Sequence, residues 1–179
     1  MDYLLLTVVR DEEKCLPRVI EAVRRQTQLP KLWMIVDDCS LDGTKKILSN
    51  VDEKWIVKKR CRERATKSLM HYGQLLTKYS EELEKLAEQK DISWNALATI
   101  DGDSIPELSY FATLIAILKK EQKLGIISGE LIESGSTKAI SHRRDIPWGT
   151  AIIYRRDCLR AIGGLSPTPS HNSVEIALA

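Results

Sequence analysis

The sequence has only four cysteines, and no two of them lie close together in the chain. Cys15, Cys39, Cys61 and Cys158 are widely separated and form no Cys-x-x-Cys motif. This spacing argues against the usual zinc-binding patterns and against a compact disulfide framework. We therefore expect free structural thiols in a reducing, cytoplasmic environment.

Long hydrophobic segments are also missing. The longest later apolar stretch, residues 111–118, is far too short to span a bilayer. The first apolar segment, residues 4–9, is short and lacks a basic leader, which indicates a β-strand rather than a signal peptide. We expect no transmembrane segment in this chain. A peripheral contact with a membrane, or an anchor in a longer parent protein, stays open.

The sequence carries little net charge. Its formal charge of +2 gives no reason to expect nucleic acid as a partner. With 179 residues, 43% of them hydrophobic and 29% charged, the chain is typical of one soluble globular domain over residues 1–179. Positive charge is concentrated in residues 54–67. This segment suits a phosphate-bearing ligand or an anionic surface, and a solvated basic face is equally consistent.

Apolar runs alternate with amphipathic segments along the chain. The runs predict six strands, at residues 4–9, 33–36, 55–57, 97–100, 125–128 and 150–154. The amphipathic segments predict helices at residues 12–26, 42 or 44 to 49, 63–89, 107–120 and 156–162. This alternation predicts an α/β fold with a mostly parallel sheet flanked by helices.

Acidic residues follow two of the predicted strands. Asp37 and Asp38 come after the second strand, and residues 101–104 (Asp-Gly-Asp-Ser) follow the fourth. The carboxyl ends of parallel strands share one edge of the sheet, where ligands bind near a topological switch point. Two carboxylates two residues apart suit a divalent cation, which can hold a diphosphate. Because Asp-Gly is also common in turns, the tetrapeptide alone is a weak signal.

Four sequence blocks, in this order, resemble the family 2 glycosyltransferases with the GT-A fold. They are RDE at residues 10–12 with RQTQLP at 25–30, VDDCSLDGT at 36–44, DGD at 101–103, and GTAIIYRR at 149–156 with IGGL at 162–165. Each block is moderately specific, but their order and spacing together are a strong signal. The resemblance covers nearly the whole chain and implies a single GT-A, Rossmann-like domain.

The resemblance implies roles for the acidic residues. Asp38 would bind the base or ribose of a nucleotide sugar, and Glu12 would line the same pocket. Asp103 would bind Mn²⁺ or Mg²⁺, and Asp101 would contact the ribose or complete the metal site. This chemistry is coherent, since carboxylates accept hydrogen bonds from ribose hydroxyls and a metal offsets diphosphate charge.

Basic and aromatic residues are further candidates for ligand contacts. Arg64 and Lys67, expected early in the long helix, could bind the diphosphate, because an arginine offers a bidentate fork. Arg143 and Arg144 precede Trp148 and could close over the donor. Trp148 could stack on an acceptor or be structural. Solvated surface charge is the alternative for the four basic residues.

The chain departs from the family pattern at Cys39, where the family has glycine. If this position requires a positive φ, the cysteine is strained there; otherwise it adopts an ordinary conformation.

The chain also departs from the pattern where the family has its general base. An inverting transfer needs a base for the acceptor hydroxyl, and the corresponding place contains His171 and Asn172. Asn172 cannot act as a base, His171 is adjacent rather than aligned, and Glu175 is a weaker candidate. A helix N-cap at Asn172 is the plain structural alternative. Residues 170–179 predict an N-cap followed by a helix, and the sequence stops within this helix, so we expect a C-terminally truncated domain.

The expected function is that of a metal-dependent, inverting glycosyltransferase of the hexosyltransferase class. It would move a sugar from a nucleotide diphosphate sugar to a hydroxyl acceptor, such as a sugar, a polysaccharide or a lipid-linked molecule. A nucleotidyltransferase ranks lower because no glycine-rich, basic phosphate loop follows the first strand. A non-catalytic nucleotide-sugar-binding fragment is the third possibility. A nicotinamide dehydrogenase is disfavoured, because G-x-G-x-x-G is absent there.

Overall fold

The structure, a computed structural model, describes residues 1–66, 68–133, 135–136, 138–139, 147 and 149–167. Its strands are β1 (Tyr3–Val9), β2 (Leu32–Asp37), β3 (Ile56–Arg60), β4 (Ala96–Ile100), β5 (Ile126–Ser128) and β6 (Ala151–Arg155). Its helices are α1 (Leu16–Arg24), α2 (Thr44–Ser49), α3 (Leu69–Gln89), α4 (Tyr110–Lys120) and α5 (Arg156–Ala161). All the strands and helices predicted within the described residues are present, while the helix predicted near Asn172 lies outside them.

The six strands form one mostly parallel sheet, as predicted. Their order is β3-β2-β1-β4-β6-β5. The strands β2 and β4 both pair in parallel with β1, while β6 pairs antiparallel with β4 and with β5. The chain extends from β1 to one side through β2 and β3 and then returns to the other side of β1 with β4. The order therefore reverses at β1, and ligands of such sheets bind at the carboxyl ends of the strands beside this point.

Both faces of the sheet are covered, which explains the continuous apolar runs in its strands. All seven residues of β1 are buried. Tyr3 and Leu5 pack with the apolar sides of α1 and α4, and the intervening Leu4 and Leu6 pack with α3 and α5. Two core layers thus fix the sheet between helices and hold the carboxyl ends of β1, β2 and β4 in register.

The start of α3 differs from the prediction. The helix begins at Leu69 rather than at residue 63, so the expectation that Arg64 lies early in a helix is wrong. Ser68 has an extended backbone and its side chain accepts a hydrogen bond from the His71 amide, which makes it the N-cap. Residues 62–65 are Arg, Glu, Arg and Ala, which are good helix formers, and this composition extended the predicted helix too far.

The last described helix ends as the sequence predicted. Gly163 and Gly164 follow α5 with φ values of 83° and 95°, and the Gly164 amide donates to the Leu159 carbonyl. Glycine adopts this left-handed conformation without strain and so terminates the helix. Within the described ranges, none of the helices has the length and apolarity needed to cross a membrane.

Candidate active site

A cavity of about 420 Å³ lies at the carboxyl edge of the sheet. It is bounded by the ends of β1, β2 and β4 and by the first turn of α3. Its lining residues are Val8, Val9, Arg10, Glu12, Asp38, Ser68, Leu69, His71, Tyr72, Asp101, Gly102 and Asp103. The structure thus brings together four acidic residues that the sequence predicts as contacts for the nucleotide sugar or the metal. They are Glu12, Asp38, Asp101 and Asp103.

Asp38 is held by two side chains that the sequence analysis missed. The Arg10 Nε donates to Asp38 Oδ2 at 2.8 Å, and the same guanidinium forms a buried ion pair with this carboxylate. The His71 Nε2 lies 3.0 Å from Oδ2 and 3.1 Å from Oδ1. Arg10 also donates to the Ala65 carbonyl, which ties the loop before α3 to the end of β1. The Asp38 carboxylate therefore has a fixed position on the cavity wall.

Asp37 has a structural role in the same turn. Its Oδ1 accepts from the Ser40 amide at 2.8 Å, and its Oδ2 forms an ion pair with Arg60. Arg60 also donates to the Ser40 carbonyl. Asp37 is buried, so its charge is used to close the loop after β2 rather than offered to a ligand.

Arg64 lies at the rim of this edge, where it joins two loops. It forms an ion pair with Asp11 and donates to the Cys39 carbonyl at 2.7 Å. The hydrogen bonds from Arg64 and from the Leu41 amide lower the pKa of Asp11 to about 2. Asp11 and Cys39 both have a positive φ, 59° and 53°, so the strain expected if a cysteine replaced a glycine here is present.

The carboxylates of Asp101 and Asp103 stand opposite Asp38 across the end of β1. The Tyr72 hydroxyl donates to Asp101 Oδ1 at 2.5 Å, and the Asp101 amide donates to the Thr150 carbonyl. Burial raises the pKa of Asp101 to about 6; the Tyr72 hydrogen bond opposes this, and the charges of Asp103 and Glu12 add to it. Asp103 is exposed at the mouth of the cavity. Negative charge is therefore concentrated at this corner.

The donor set at this corner fits a hard divalent cation. Asp101 and Asp103 provide carboxylate oxygens, which Mg²⁺ and Mn²⁺ accept as ligands. Among the described residues no group of three His, Cys, Asp or Glu side chains forms a complete metal site. Two carboxylates with open positions suit a metal that is shared with substrate phosphates. A bound cation would also offset the repulsion between Asp101, Asp103 and Glu12.

Gly102 is required by close packing between the two carboxylates. A Cβ at this position would lie 2.6 Å from Val9 Cγ1 and 3.2 Å from Glu12 Cγ. We expect Gly102→Ala to lower the free energy of unfolding by about 1–3 kcal/mol, because the extra methyl group overpacks this site. Urea denaturation measures the change, and Ser104→Ala is the control. Equal stability of Gly102→Ala and the wild type would contradict the described packing.

The structure does not describe several of the residues that the sequence predicts for the site. Lys67, Arg143, Arg144, Trp148, His171 and Asn172 lie outside the described residues. Conversely, Arg10, His71 and Tyr72 were not nominated. The only sequence signal for the last two was their position just after a serine that can cap a helix.

A second cavity, of about 470 Å³, lies at the opposite edge of the sheet. Four of its lining residues are basic: Lys119, Arg155, Arg156 and Arg160. Arg156 stacks on Trp94 and lies 3.7 Å from Glu88. Arg155 donates to carbonyls at the end of α4, including Leu118. Because these two guanidinium groups serve internal contacts, the acidic cavity at the carboxyl edge is the stronger candidate for a ligand site.

Comparisons with known proteins agree with this fold. Residues 5–72 match the family model of glycosyl transferase family 2. No curated protein sequence matches the chain. The matched segment runs from β1 to the start of α3 and includes Arg10, Asp38, His71 and Tyr72.

Solved structures resemble the chain over almost its entire length. Staphylococcus aureus TarS 1-349 in complex with UDP has a TM-score of 0.64 at 16% identity, over 98% of this chain and 53% of that chain. The mannosyltransferase PcManGT from Pyrobaculum calidifontis, in complex with GDP-Man and Mn²⁺, has a TM-score of 0.65 at 14% identity, over 98% and 50%. A 4-diphosphocytidyl-2C-methyl-D-erythritol synthase has a TM-score of 0.58 at 13% identity, over 99% and 86%.

The chain spans between 30% and 56% of the length of the TarS chains that it matches. At identities this low, the structural likeness establishes the fold. The chain has the GT-A fold, and its match over residues 5–72 confirms the resemblance to the family 2 glycosyltransferases that the sequence motifs indicated.

Proposed function

We propose that this chain is the donor-binding domain of a metal-dependent, inverting glycosyltransferase, with residues 1–179 as one domain of a longer protein. It would move a sugar from a nucleotide diphosphate sugar to a hydroxyl acceptor. The observation that carries the proposal is the convergence of Asp38, Asp101 and Asp103 on one cavity at the switch point of the sheet. A cavity of about 420 Å³ is large enough for a nucleotide-sized ligand.

Asp38 is the proposed contact for the nucleoside. Arg10 contacts its Oδ2, whereas Oδ1 lies 3.1 Å from His71 Nε2 and is not contacted by Arg10. Oδ1 can therefore accept a further hydrogen bond from a base N–H or a ribose hydroxyl. TarS is solved with UDP and PcManGT with GDP-Man, so both UDP-sugars and GDP-sugars are donors to test.

Asp101 and Asp103 are the proposed contacts for the metal and the diphosphate. They would hold Mn²⁺ or Mg²⁺ together with diphosphate oxygens. When bound, the cation would take up negative charge on the departing nucleoside diphosphate. The neighbouring structures of PcManGT and of the glucosyl-3-phosphoglycerate synthase from Mycobacterium tuberculosis contain Mn²⁺, which supports this choice.

The acceptor side of the site remains a proposal from the sequence. His171 is the proposed base for the acceptor hydroxyl, with Asn172 in the position where the family has an acid, and Trp148 is the proposed stacking surface for the acceptor. Lys67, Arg143 and Arg144 are proposed to contact the donor phosphates. Arg64 keeps this role only if it releases Asp11, with which it forms an ion pair. The acceptor would be a sugar, a polysaccharide or a lipid-linked molecule.

The nucleotidyltransferase alternative has the same general fold, as the likeness to the methylerythritol synthase illustrates. Such an enzyme needs free backbone amides after β1 to bind a triphosphate. In this chain the amides of Asp11, Glu12 and Glu13 are already used. They donate to Ser40 Oγ, Thr44 Oγ1 and Asp42 Oδ2, each at 2.9 Å. This pattern favours the glycosyltransferase.

Product analysis tests the proposal. The protein is incubated with UDP-GlcNAc and with GDP-Man, each with Mn²⁺ or with EDTA. We expect UDP or GDP to be released only in the presence of Mn²⁺. Without an acceptor, this release would occur by slow hydrolysis of the sugar donor. Pyrophosphate release from a nucleoside triphosphate plus a sugar phosphate would establish the nucleotidyltransferase instead. Donor binding without any turnover would favour the non-catalytic fragment.

A further inference from the structure

We propose that His71 and Tyr72 are positioning residues that set the two halves of the donor site separately. His71 would orient Asp38 for the nucleoside, and Tyr72 would orient Asp101 for the metal and diphosphate. This inference rests on the proposed function. It adds roles for two side chains that neither the sequence motifs nor the comparisons assign.

The contact of His71 defines the nucleoside half. Its Nε2 lies 3.0 Å from Oδ2 and 3.1 Å from Oδ1 of Asp38, whereas Arg10 contacts Oδ2. Because a carboxylate only accepts, Nε2 must be the donor in this contact. With Arg10 it fixes the plane of the Asp38 carboxylate and thereby the direction in which Oδ1 faces the cavity.

The contact of Tyr72 defines the metal half. Its hydroxyl donates to Asp101 Oδ1 at 2.5 Å, which leaves Oδ2 as the oxygen available to a ligand. No other side-chain hydrogen bond to the Asp101 carboxylate is present among the described residues. Tyr72 therefore selects the rotamer of Asp101, in the way that hydrogen-bonded neighbours orient metal ligands generally.

The two contacts come from consecutive residues of one rigid element. Side chains of adjacent residues in a helix diverge by about 100°, so one turn can reach two different strands. The ends of β2 and β4 flank β1 and are therefore about 10 Å apart. Helix α3 packs on β1 and β2, and its first turn, capped by Ser68, spans this gap. It fixes the distance between the two halves of the site.

The proposal predicts that the two halves can be weakened independently. Tyr72→Phe should reduce the affinity for UDP or GDP about tenfold in the presence of Mn²⁺ and leave the affinity without metal unchanged. His71→Phe should reduce both affinities about tenfold, because the nucleoside contact does not require the metal. His71→Gln should retain most of the nucleotide affinity that His71→Phe loses, because its side-chain amide can still donate to Asp38.

Isothermal titration of the full chain with UDP and with GDP, each with and without Mn²⁺, measures these effects. Tyr79→Phe is the matched control. It removes a hydroxyl about two turns further along α3, where the hydroxyl lies 3.7 Å from Cys61 Sγ. Thermal unfolding of each variant verifies that it is folded before titration.

Three results would contradict the proposal. The first is equal metal dependence in Tyr72→Phe and Tyr79→Phe. The second is a loss of nucleotide affinity in His71→Phe that appears only in the presence of Mn²⁺. In either case the wild type binds nucleotide, so the positioning roles fail and the proposed function stands. The third is that the wild type binds neither UDP nor GDP, which would overturn the proposed function and this inference together.

Discussion

Asp38→Ala should lower the free energy of unfolding by about 3–5 kcal/mol, because it leaves the Arg10 guanidinium buried without a counter-charge. The side chains of this pair are only 7% and 5% exposed. Removing one partner of a buried pair is costly, since the remaining charge keeps its desolvation penalty without the compensating attraction. The loop before α3 should loosen too, because Arg10 also holds the Ala65 carbonyl.

Urea denaturation measures this loss in the free energy of unfolding, and two further variants serve as controls. Asp11→Asn removes the charge that pairs with Arg64 but keeps an acceptor for the Leu41 amide and tolerates the positive φ, so it should cost less than about 1 kcal/mol. Combining Arg10→Met with Asp38→Ala should recover part of the loss, because no unpaired charge stays buried. If Asp38→Ala costs no more than Asp11→Asn, the buried ion pair does not have the position described.

Asp101→Asn should have opposite effects on stability and on ligand binding. Burial, with the charges of Asp103 and Glu12, raises the pKa of Asp101 from 3.8 to about 6. A shift of two pK units corresponds to about 3 kcal/mol of destabilisation by the charged form. Because Asp101 is partly exposed, solvent reduces this destabilisation. We therefore expect Asp101→Asn to stabilise the folded chain by about 1–2 kcal/mol at about pH 8. The Tyr72 hydrogen bond can persist, because the amide oxygen also accepts.

The stabilisation by Asp101→Asn should depend on pH, because only the charged form of Asp101 destabilises the fold. A carboxyl whose pKa is raised on folding destabilises the folded state above that pKa, and the penalty disappears below the unfolded pKa. The advantage of Asp101→Asn should therefore be complete above about pH 7 and vanish near pH 4. The same variant should lose at least about tenfold in Mn²⁺-supported nucleotide affinity. A variant that is less stable than the wild type at pH 8 would contradict the described environment of Asp101.

The strands and the acidic ends of β2 and β4 were predictable because local patterns determine them. Continuous apolar runs identify strands that are buried on both faces, and turn residues locate the loops that follow. In a parallel sheet, these two facts are sufficient to bring Asp38 and Asp101 to one edge. The residues that hold these carboxylates were not predictable in this way, because Arg10, His71 and Tyr72 reach them from other elements.

The basic segment illustrates why charge counts in a sequence are ambiguous. Residues 54–67 suggested a surface for phosphate, yet Arg60 pairs with Asp37, Arg64 with Asp11 and Lys59 with Glu82. These partners are distant in sequence, so composition could not show that three of these positive charges are used within the fold. The same limit applies to the start of α3, where good helix formers precede the actual cap at Ser68.

Titration of the wild type and of Asp103→Ala with UDP and with GDP tests the central claim most directly. The claim is that the acidic cavity at the carboxyl edge binds a nucleoside diphosphate through a metal. We predict that the wild type binds at least one of them, more tightly with Mn²⁺ than with EDTA, and that Asp103→Ala abolishes this difference. Failure of the wild type to bind either nucleotide at millimolar concentration, with or without Mn²⁺, would contradict it.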